Sequence, residues 1–187
     1  GITSGTDQVN NSVLTNTGTP VYTTHALNFN PGIDFGASSH LIDTTPSGLG
    51  GLNGNPGRVY YVAASTKSGI LLYLGRNDTT QTRRQQNLNL LGNGNYRSVY
   101  TSEGAAGVNG SLTGSTTVDN TPHLFGFTSP SGANVANGSL LLNGAVEPAT
   151  VENNGAIDLR IQRLMVGAGM KNGGGTKGDL NGHIAEV

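Results

Sequence analysis

The sequence predicts an all-β fold, an antiparallel β-sandwich built by a single domain. Of the 187 residues, 30 are glycine and only 11% are charged, and no stretch keeps a 3.6-residue apolar period for three helical turns. Turn-forming residues recur from one end of the chain to the other, and short apolar runs lie between them. This alternation of short runs and turns is typical of sandwiches and barrels.

The apolar runs in the first half of the chain predict strands. Residues 25–36 alternate apolar and polar side chains, and Pro31 within them predicts an edge position or a bulge. Residues 58–66 are rich in β-branched and aromatic side chains, with alternate residues from Val59 onward on one face. Residues 69–75 follow after a short turn, so these two runs are predicted to form a hairpin.

The second half of the chain predicts further strands. Residues 87–101 contain alternating leucines, a Gly-Asn-Gly turn and then a run with two tyrosines, which indicates another hairpin. Residues 103–123 are small and polar, and they predict a long loop or a weak edge strand. Residues 157–164 alternate well and predict a strand, and residues 180–187 begin a last one.

Residues 138–150, "GSLLLNGAVEPAT", carry the strongest hairpin signal. Three leucines lead into Asn143-Gly144, and a second run follows. Asn-Gly is favoured in the type I′ turn, which needs a positive φ at both central residues. We predict that this hairpin is structural and is not part of a site, and that Gly144→Val reduces stability.

Composition excludes several classes of function. The formal net charge is −1, and the ten basic residues form no patch, which argues against nucleic acid as a partner. The chain has no cysteine, which excludes disulfides and thiolate metal sites. No run approaches the 18 or more apolar residues that a membrane-spanning helix needs, so we expect no membrane span.

Five segments, taken in order, resemble a known family. They are residues 26–42 with "LNFNPGIDF", 58–65, 138–147, 163–169, and 178–187 with "GHIAEV". They resemble the LamG-like, or concanavalin A-like, jelly-roll modules of large secreted bacterial proteins, among them Bacteroidetes surface proteins exported by the type IX system. The resemblance implies one jelly-roll domain over residues 1–187, at the bacterial cell surface.

The resemblance also implies that terminal strands are missing. Modules of this kind usually open with an earlier strand and continue past "IAEV". Loss of both would expose a sheet edge, which folded proteins normally avoid. We therefore expect the chain to be a fragment of a larger multidomain protein, whose other domains are its partners.

The function that the resemblance favours is a non-catalytic adhesion or carbohydrate-binding module, with a glycan or another surface ligand as partner. Lectin-like jelly rolls hold sugars with Asn and Asp for the hydroxyls and an aromatic ring for the sugar face. The candidate ligand-binding rings are Tyr60, Tyr73, Tyr96 and Tyr100. Packing of these rings within the sheet is an equally good interpretation. The alternative function is a structural spacer or stalk domain of a surface adhesin or filament, with no ligand of its own.

Calcium is the candidate cofactor, because such modules often hold it at one rim with Asp and Asn side chains and backbone carbonyls. The oxygen-bearing loop residues are Asn77, Asp78, Asp119, Asn120 and Asp179. No Asp-x-Asp-x-Asp-Gly loop is present, so the sequence leaves open which of them converge. Asx side chains also occur in turns simply to bond their own backbone.

The sequence argues against an enzyme. Glycoside hydrolases of similar fold carry two carboxylates as Glu-x-Asp-x-x-Glu on one strand, and that string is absent. Glu147 and Glu152 flank a proline and are expected to be exposed in a turn. The four histidines lack zinc spacings and a Gly-x-Ser-x-Gly elbow, so we expect them at partly exposed strand ends. A glycoside hydrolase is the least favoured function.

Overall fold

The structure is a computed structural model of the chain. It describes residues 4–6, 12–27, 30–36, 38–46, 53–54, 57–66, 68–76, 85–91, 93–101, 109–155, 157–170 and 176–186, together with Ile2 and Leu49.

The described residues form eighteen strands and a short 3-10 helix at Val135–Asn137. In chain order the strands are β1 (Ser4–Thr6), β2 (Val13–Thr17), β3 (Val21–Leu27), β4 (Asn30–Phe35), β5 (His40–Asp43), β6 (Arg58–Ser65), β7 (Gly69–Gly75), β8 (Gln85–Leu90), β9 (Asn95–Thr101), β10 (Asn109–Thr117), β11 (His123–Ser129), β12 (Ser139–Leu142), β13 (Ala145–Glu147), β14 (Ala149–Glu152), β15 (Arg163–Val166), β16 (Gly169–Met170), β17 (Thr176–Lys177) and β18 (Gly182–Glu186).

These strands make two large antiparallel sheets. The nine-stranded sheet has the order β1-β2-β5-β15-β7-β8-β9-β10-β14, and the seven-stranded sheet has the order β13-β12-β11-β6-β18-β4-β3. Strands β16 and β17 form a separate pair. The predicted all-β antiparallel sandwich is confirmed.

The core lies between the two sheets. Leu72 and Leu88 face it from paired strands of the nine-stranded sheet, and Phe125 and Phe127 face it from β11 in the other sheet. All four side chains are buried. Full burial of a side chain of this size stabilises the fold by about 1.5–3 kcal/mol, so these inner rows hold the sheets together.

Two predicted hairpins and one bulge are confirmed. Strands β12 and β13 pair across Asn143 and Gly144, whose φ angles are 53° and 83°. Strands β8 and β9 pair across the turn that contains Gly94. The ladder between β3 and β4 shifts register opposite Pro31, and β4 is inside its sheet, so the proline marks a bulge and not an edge.

The predicted hairpin of β6 with β7 is wrong. Strand β6 pairs with β11 and β18, whereas β7 pairs with β15 and β8 in the other sheet. The short connection carries the chain across the sandwich. Thr66 fixes it, because its hydroxyl contacts the carbonyl of Ser68 at 2.9 Å and that of Asn181 at 3.1 Å.

The segment of residues 103–123 also differs from the prediction. Within it β10 is neither a loop nor an edge, since β9 and β14 pair with it on both sides. Its small residues allow close packing: a Cβ on Gly110 would lie 2.2 Å from Val135 Cγ2. Neighbouring elements therefore supply the apolar surface that the segment itself lacks.

The alternating stretch at residues 157–161 is buried as its pattern indicates, but it is not a strand. Ile157, Leu159 and Ile161 all point into the core. Only Leu159 makes an isolated bridge, to Gly54. The strand of this region is β15, which begins at Arg163.

The predicted last strand is confirmed as β18, which lies between β6 and β4. The fragment hypothesis and the single-domain assignment stay predictions. Within the described ranges, no helix has the length and apolar character that crossing a membrane requires.

Candidate ligand-binding groove

A groove of about 460 Å³ opens on the outer face of the seven-stranded sheet, near the ends of β6, β11 and β18. We call it the outer groove. Its apolar lining consists of Leu27, Pro31, Ala63, Pro122, Leu124 and Ala185. Its polar lining consists of Asn30, His123 and Asn143. The volume falls in the usual range for small-molecule sites.

An exposed aromatic ring lies beside the outer groove. Strand β6 turns Val62 and Ala64 into the core, so Tyr61 and Ala63 face outward. The Tyr61 side chain is 43% exposed. It lies across Gly126 of β11, because a Cβ on that glycine would come within 2.7 Å of the tyrosine ring. The missing side chain at Gly126 thus leaves space for the ring against the sheet.

A chain of hydrogen bonds fixes the two polar lining residues His123 and Asn143 on the β11 side of the outer groove. Asn143 Oδ1 accepts the Leu124 backbone N–H at 2.9 Å, and Asn143 Nδ2 lies 3.1 Å from His123 Nδ1. His123 Nε2 lies 3.2 Å from Thr121 Oγ1, which donates to Asp119 Oδ1 at 2.6 Å. The network therefore runs from the hairpin turn to the loop before β11.

This network sets the tautomer of His123. Because Leu124 N–H fixes the amide of Asn143, the amide N–H points at His123 Nδ1, which must accept. The proton of the neutral ring is then on Nε2 and is donated to Thr121 Oγ1. In this state the imidazole has no free nitrogen with which to take a proton from the hydroxyl, so it cannot activate Thr121 as a nucleophile.

Asp119 is anchored in a local turn. Its Oδ1 accepts from both the hydroxyl and the backbone N–H of Thr121, the latter at 2.8 Å. These bonds, with a smaller contribution from His123, lower the pKa of the Asp119 carboxyl. The group is therefore ionised at neutral pH, at the rim of the outer groove.

Comparison with solved structures shows that the overall fold is a known one. Domains LG4-5 of the mouse laminin α1 chain match with a TM-score of 0.60 and 16% identity, over 91% of this chain and 43% of that one. The fold is a laminin LG-type jelly roll. The enzymatically active domain of tailspike protein 2 of bacteriophage CBA120 matches with a TM-score of 0.53 and 14% identity, over 94% and 28%.

Each of these two chains is more than twice as long as the part that the jelly roll matches. At such low identity the likeness concerns the fold alone. No protein-family model matches the sequence, and no curated protein matches it.

Three of the four predicted sugar-contacting tyrosines are buried in the jelly roll. Tyr73, Tyr96 and Tyr100 are at most 2% exposed. Tyr96 donates to the Gly126 carbonyl, and the Tyr100 hydroxyl contacts the backbone of Asp158. Their rings pack in the sheets, the alternative interpretation, and so present no face to a sugar. Tyr60 is half-buried, with its ring 6.3 Å from that of Phe127.

The structure brings only some of the predicted calcium ligands near one another. Asn120 and the segment containing Asp179 both lie beside the end of β6: Ser65 Oγ contacts the Asn120 carbonyl, and Thr66 bonds the carbonyl of Asn181. Asp119 is in the same loop as Asn120 and makes the turn described above. Asn77 and Asp78 lie outside the described residues. Among the residues that are described, no three His, Cys, Asp or Glu side chains converge as a metal site.

Glu147 was expected to be exposed, but it is buried. Its Oε1 and Oε2 accept the backbone N–H and the hydroxyl of Thr116 at 2.6 Å and 2.9 Å. Gly114 leaves room for it, since a Cβ there would lie 2.8 Å from Glu147 Cγ. Glu152 is paired instead with Arg97 at 3.1 Å. The two carboxylates thus have separate structural partners.

His40 also differs from the expected exposed histidine, since it is 3% exposed. It shares the outer face of the nine-stranded sheet with Ile42, which packs beside Met165 and Tyr73. Burial lowers the pKa of His40, with Arg163 adding to the shift and Asp179 opposing it. His40 is therefore neutral at pH 7.

Sequence reasoning missed Tyr61 and Asn143. The alternation in β6 does place Tyr61 on the same face as Val59, so the sequence predicts that these two side chains lie together, and both are exposed. Asn143 was assigned to a purely structural hairpin, but it also lines the outer groove. No sequence pattern relates that turn to Asn30 or Ala185.

Proposed function

We propose that this chain is a non-catalytic carbohydrate-binding module and that the outer groove, with Tyr61 beside it, binds the sugar. The observation that carries the proposal is the position of Tyr61, half exposed across Gly126 and next to a groove whose lining includes His123 and Asn143. An exposed ring of this kind can cover the apolar face of a sugar, while amide and imidazole groups bond its hydroxyls.

The apolar lining supports binding by burial of surface. Leu124 is 39% exposed and Val59 57% exposed, and both share the outward face with Tyr61. An exposed apolar patch beside a groove is typical of a ligand or protein contact. A ligand that covers this patch removes apolar surface from water, which is favourable.

Two features support a binding role over catalysis. None of the nine described lining residues is Asp or Glu, whereas glycoside hydrolysis uses a pair of carboxylates. His123 Nδ1 accepts a hydrogen bond from the Asn143 amide and Nε2 donates one to the Thr121 hydroxyl, so both ring nitrogens have partners. The outer groove therefore offers fixed hydrogen-bonding groups and no activated nucleophile.

The cellular setting is part of the same proposal. We place the module in a large secreted bacterial surface protein, beside further domains, where it contributes to adhesion. Calcium is proposed as its cofactor, with Asp119, Asn120 and Asp179 as the candidate ligands among the described residues. The type IX route and the absence of nucleic acid as a partner rest on the sequence alone.

A glycan-array screen of the purified chain, run with calcium and with EDTA, tests this function. We expect Tyr61→Ala to weaken binding at least about tenfold, the cost of losing roughly 1.5 kcal/mol of aromatic burial. Tyr22→Ala is the matched control, because Tyr22 is exposed on the edge strand β3 of the same sheet but shares the core-side face with its partner Ile33, opposite to the face that carries Tyr61. It should bind as the parent chain does.

Each outcome of the screen has a definite meaning. No binding in either buffer contradicts the proposal and favours the spacer function. Binding that Tyr61→Ala and Tyr22→Ala affect equally places the sugar elsewhere. Loss of binding in EDTA supports the calcium site, and binding unchanged by EDTA contradicts it.

A further inference from the structure

We propose that the outer groove selects uncharged oligosaccharides and that the side-chain amide of Asn143 is the hydrogen-bond donor that recognises them. This inference rests on the proposed function. It adds a ligand class and a specificity-determining residue.

The amide of Asn143 has one donor left for a ligand. An asparagine amide carries two N–H donors. One of them faces His123 Nδ1 at 3.1 Å, and Oδ1 accepts from Leu124 N–H at 2.9 Å. The second N–H belongs to a side chain that lines the outer groove. A sugar hydroxyl or ring oxygen is a suitable acceptor for it.

This donor is held rigidly before any ligand arrives. The backbone of Asn143 has a φ of 53°, and its N–H donates to the Leu124 carbonyl at 2.8 Å. Backbone and side chain are therefore both tied to one residue of β11, and the amide is tied to His123 as well. A donor that is already ordered loses little entropy on binding, which favours affinity and selectivity.

The charges around the outer groove disfavour an acidic ligand. None of the nine described lining residues is Lys or Arg, the side chains that bind carboxylate and sulfate groups most strongly. The carboxylate of Asp119 lies 3.6 Å from Nε2 of the lining residue His123. Hydrogen bonds from Thr121 lower the pKa of this carboxyl, so it carries its negative charge at neutral pH. Like charges brought together at a binding site reduce affinity.

The selectivity is tested on an array that pairs each neutral glycan with its sialylated or sulfated counterpart, at low ionic strength. We expect the neutral member to bind at least about tenfold more tightly, with little change when salt is added, because the contact involves no ion pair. Preference for the acidic members overturns the inference but leaves the carbohydrate-binding function standing. No binding to any glycan overturns the proposed function itself.

The role of the amide is tested with Asn143→Asp. Aspartate keeps the acceptor for Leu124 N–H and suits the Asx-Gly turn, but it has no N–H to donate. Asn30→Asp is the matched control, because it adds the same charge to the lining on another strand. We expect Asn143→Asp to weaken neutral-glycan binding about tenfold or more, a loss of the size expected for one hydrogen bond, and Asn30→Asp to weaken it less.

Two results would overturn the role of Asn143. One is unchanged affinity of Asn143→Asp for the neutral glycan. The other is an equal loss in both variants, which would assign the effect to charge alone. Thermal melts of both proteins accompany the titrations, and Asn143→Gly, which suits the positive φ, gives a second variant without the amide.

Discussion

Replacing Tyr96 by Phe tests how the two sheets are joined. The Tyr96 ring in β9 lies 5.0 Å from that of Phe125, and its hydroxyl donates to the Gly126 carbonyl of β11 at 2.8 Å. The side chain is 1% exposed, and burial raises the pKa of the phenol, so the hydroxyl keeps its proton. Phe preserves the ring contact and removes only this hydrogen bond.

The expected cost follows from that single lost bond. Leaving a buried partner without its hydrogen bond costs about 1–3 kcal/mol. In a chain of 187 residues, 1 kcal/mol changes the Tm by roughly 2–4 °C, so we expect Tyr96→Phe to lower it by about 2–12 °C. The free energy of unfolding is measured by urea titration at pH 7, with the Tm from circular dichroism.

Tyr22→Phe is the control, because Tyr22 is 58% exposed on the edge strand β3. It should change the free energy of unfolding by less than about 0.5 kcal/mol. If Tyr96→Phe also stays within that limit, the hydrogen bond between the sheets does not contribute to stability and the reasoning fails.

Two further predictions concern strain and pH. Gly144→Val should lower the free energy of unfolding by about 1–2 kcal/mol, because the φ of Gly144 is 83° while an added Cβ meets no atom within 4 Å. Gly36→Val is the control, since Gly36 is equally unhindered but has no positive φ, and it should lower the free energy of unfolding less. Equal urea midpoints for the two variants would contradict this reasoning. The free energy of unfolding should fall as pH drops below 6.5, because burial lowers the pKa of His40 and the unfolded chain takes up the proton first. His40→Gln should reduce the dependence of the free energy of unfolding on pH between pH 7 and 5. An unchanged slope would show that other groups cause this dependence.

The fold class followed from local patterns, because turns and alternation are encoded over a few residues. The β12–β13 hairpin is the clearest case, since Asn143-Gly144 specifies its own backbone geometry. The connection between β6 and β7 shows the limit. A short polar turn between two apolar runs looks the same whether the strands pair or enter opposite sheets, and only the other partners of each strand decide.

Strand β10 shows a second limit. Its residues are small and polar, yet β9 and β14 on either side keep it inside the sheet. Residues 157–161 show the converse, because Leu159 and its apolar neighbours alternate into the core without pairing along a strand. Alternating apolar and polar residues indicate that one side of a segment is buried, whereas its pairing into a sheet depends on strands far away in the chain.

The candidate site was harder to predict than the fold. The presence of a tyrosine in the sequence does not show whether its ring is buried or exposed. Tyr60 and Tyr61 are neighbours in β6, yet their side chains lie on opposite faces of the sheet. The hydrogen-bond network beside the outer groove joins Asn143, in the turn between β12 and β13, to His123 and Asp119, at the start of β11 and in the loop before it. Such convergence follows from tertiary packing, which no short motif encodes.

The position of β18 has a consequence for the order of assembly during synthesis. It lies between β6 and β4, although every other strand of the seven-stranded sheet precedes it in sequence. Until residues 182–186 leave the ribosome, β13-β12-β11-β6 and β4-β3 are two separate pieces with open inner edges. The outer groove uses residues from both pieces, so a nascent chain forms this groove only when β18 joins them.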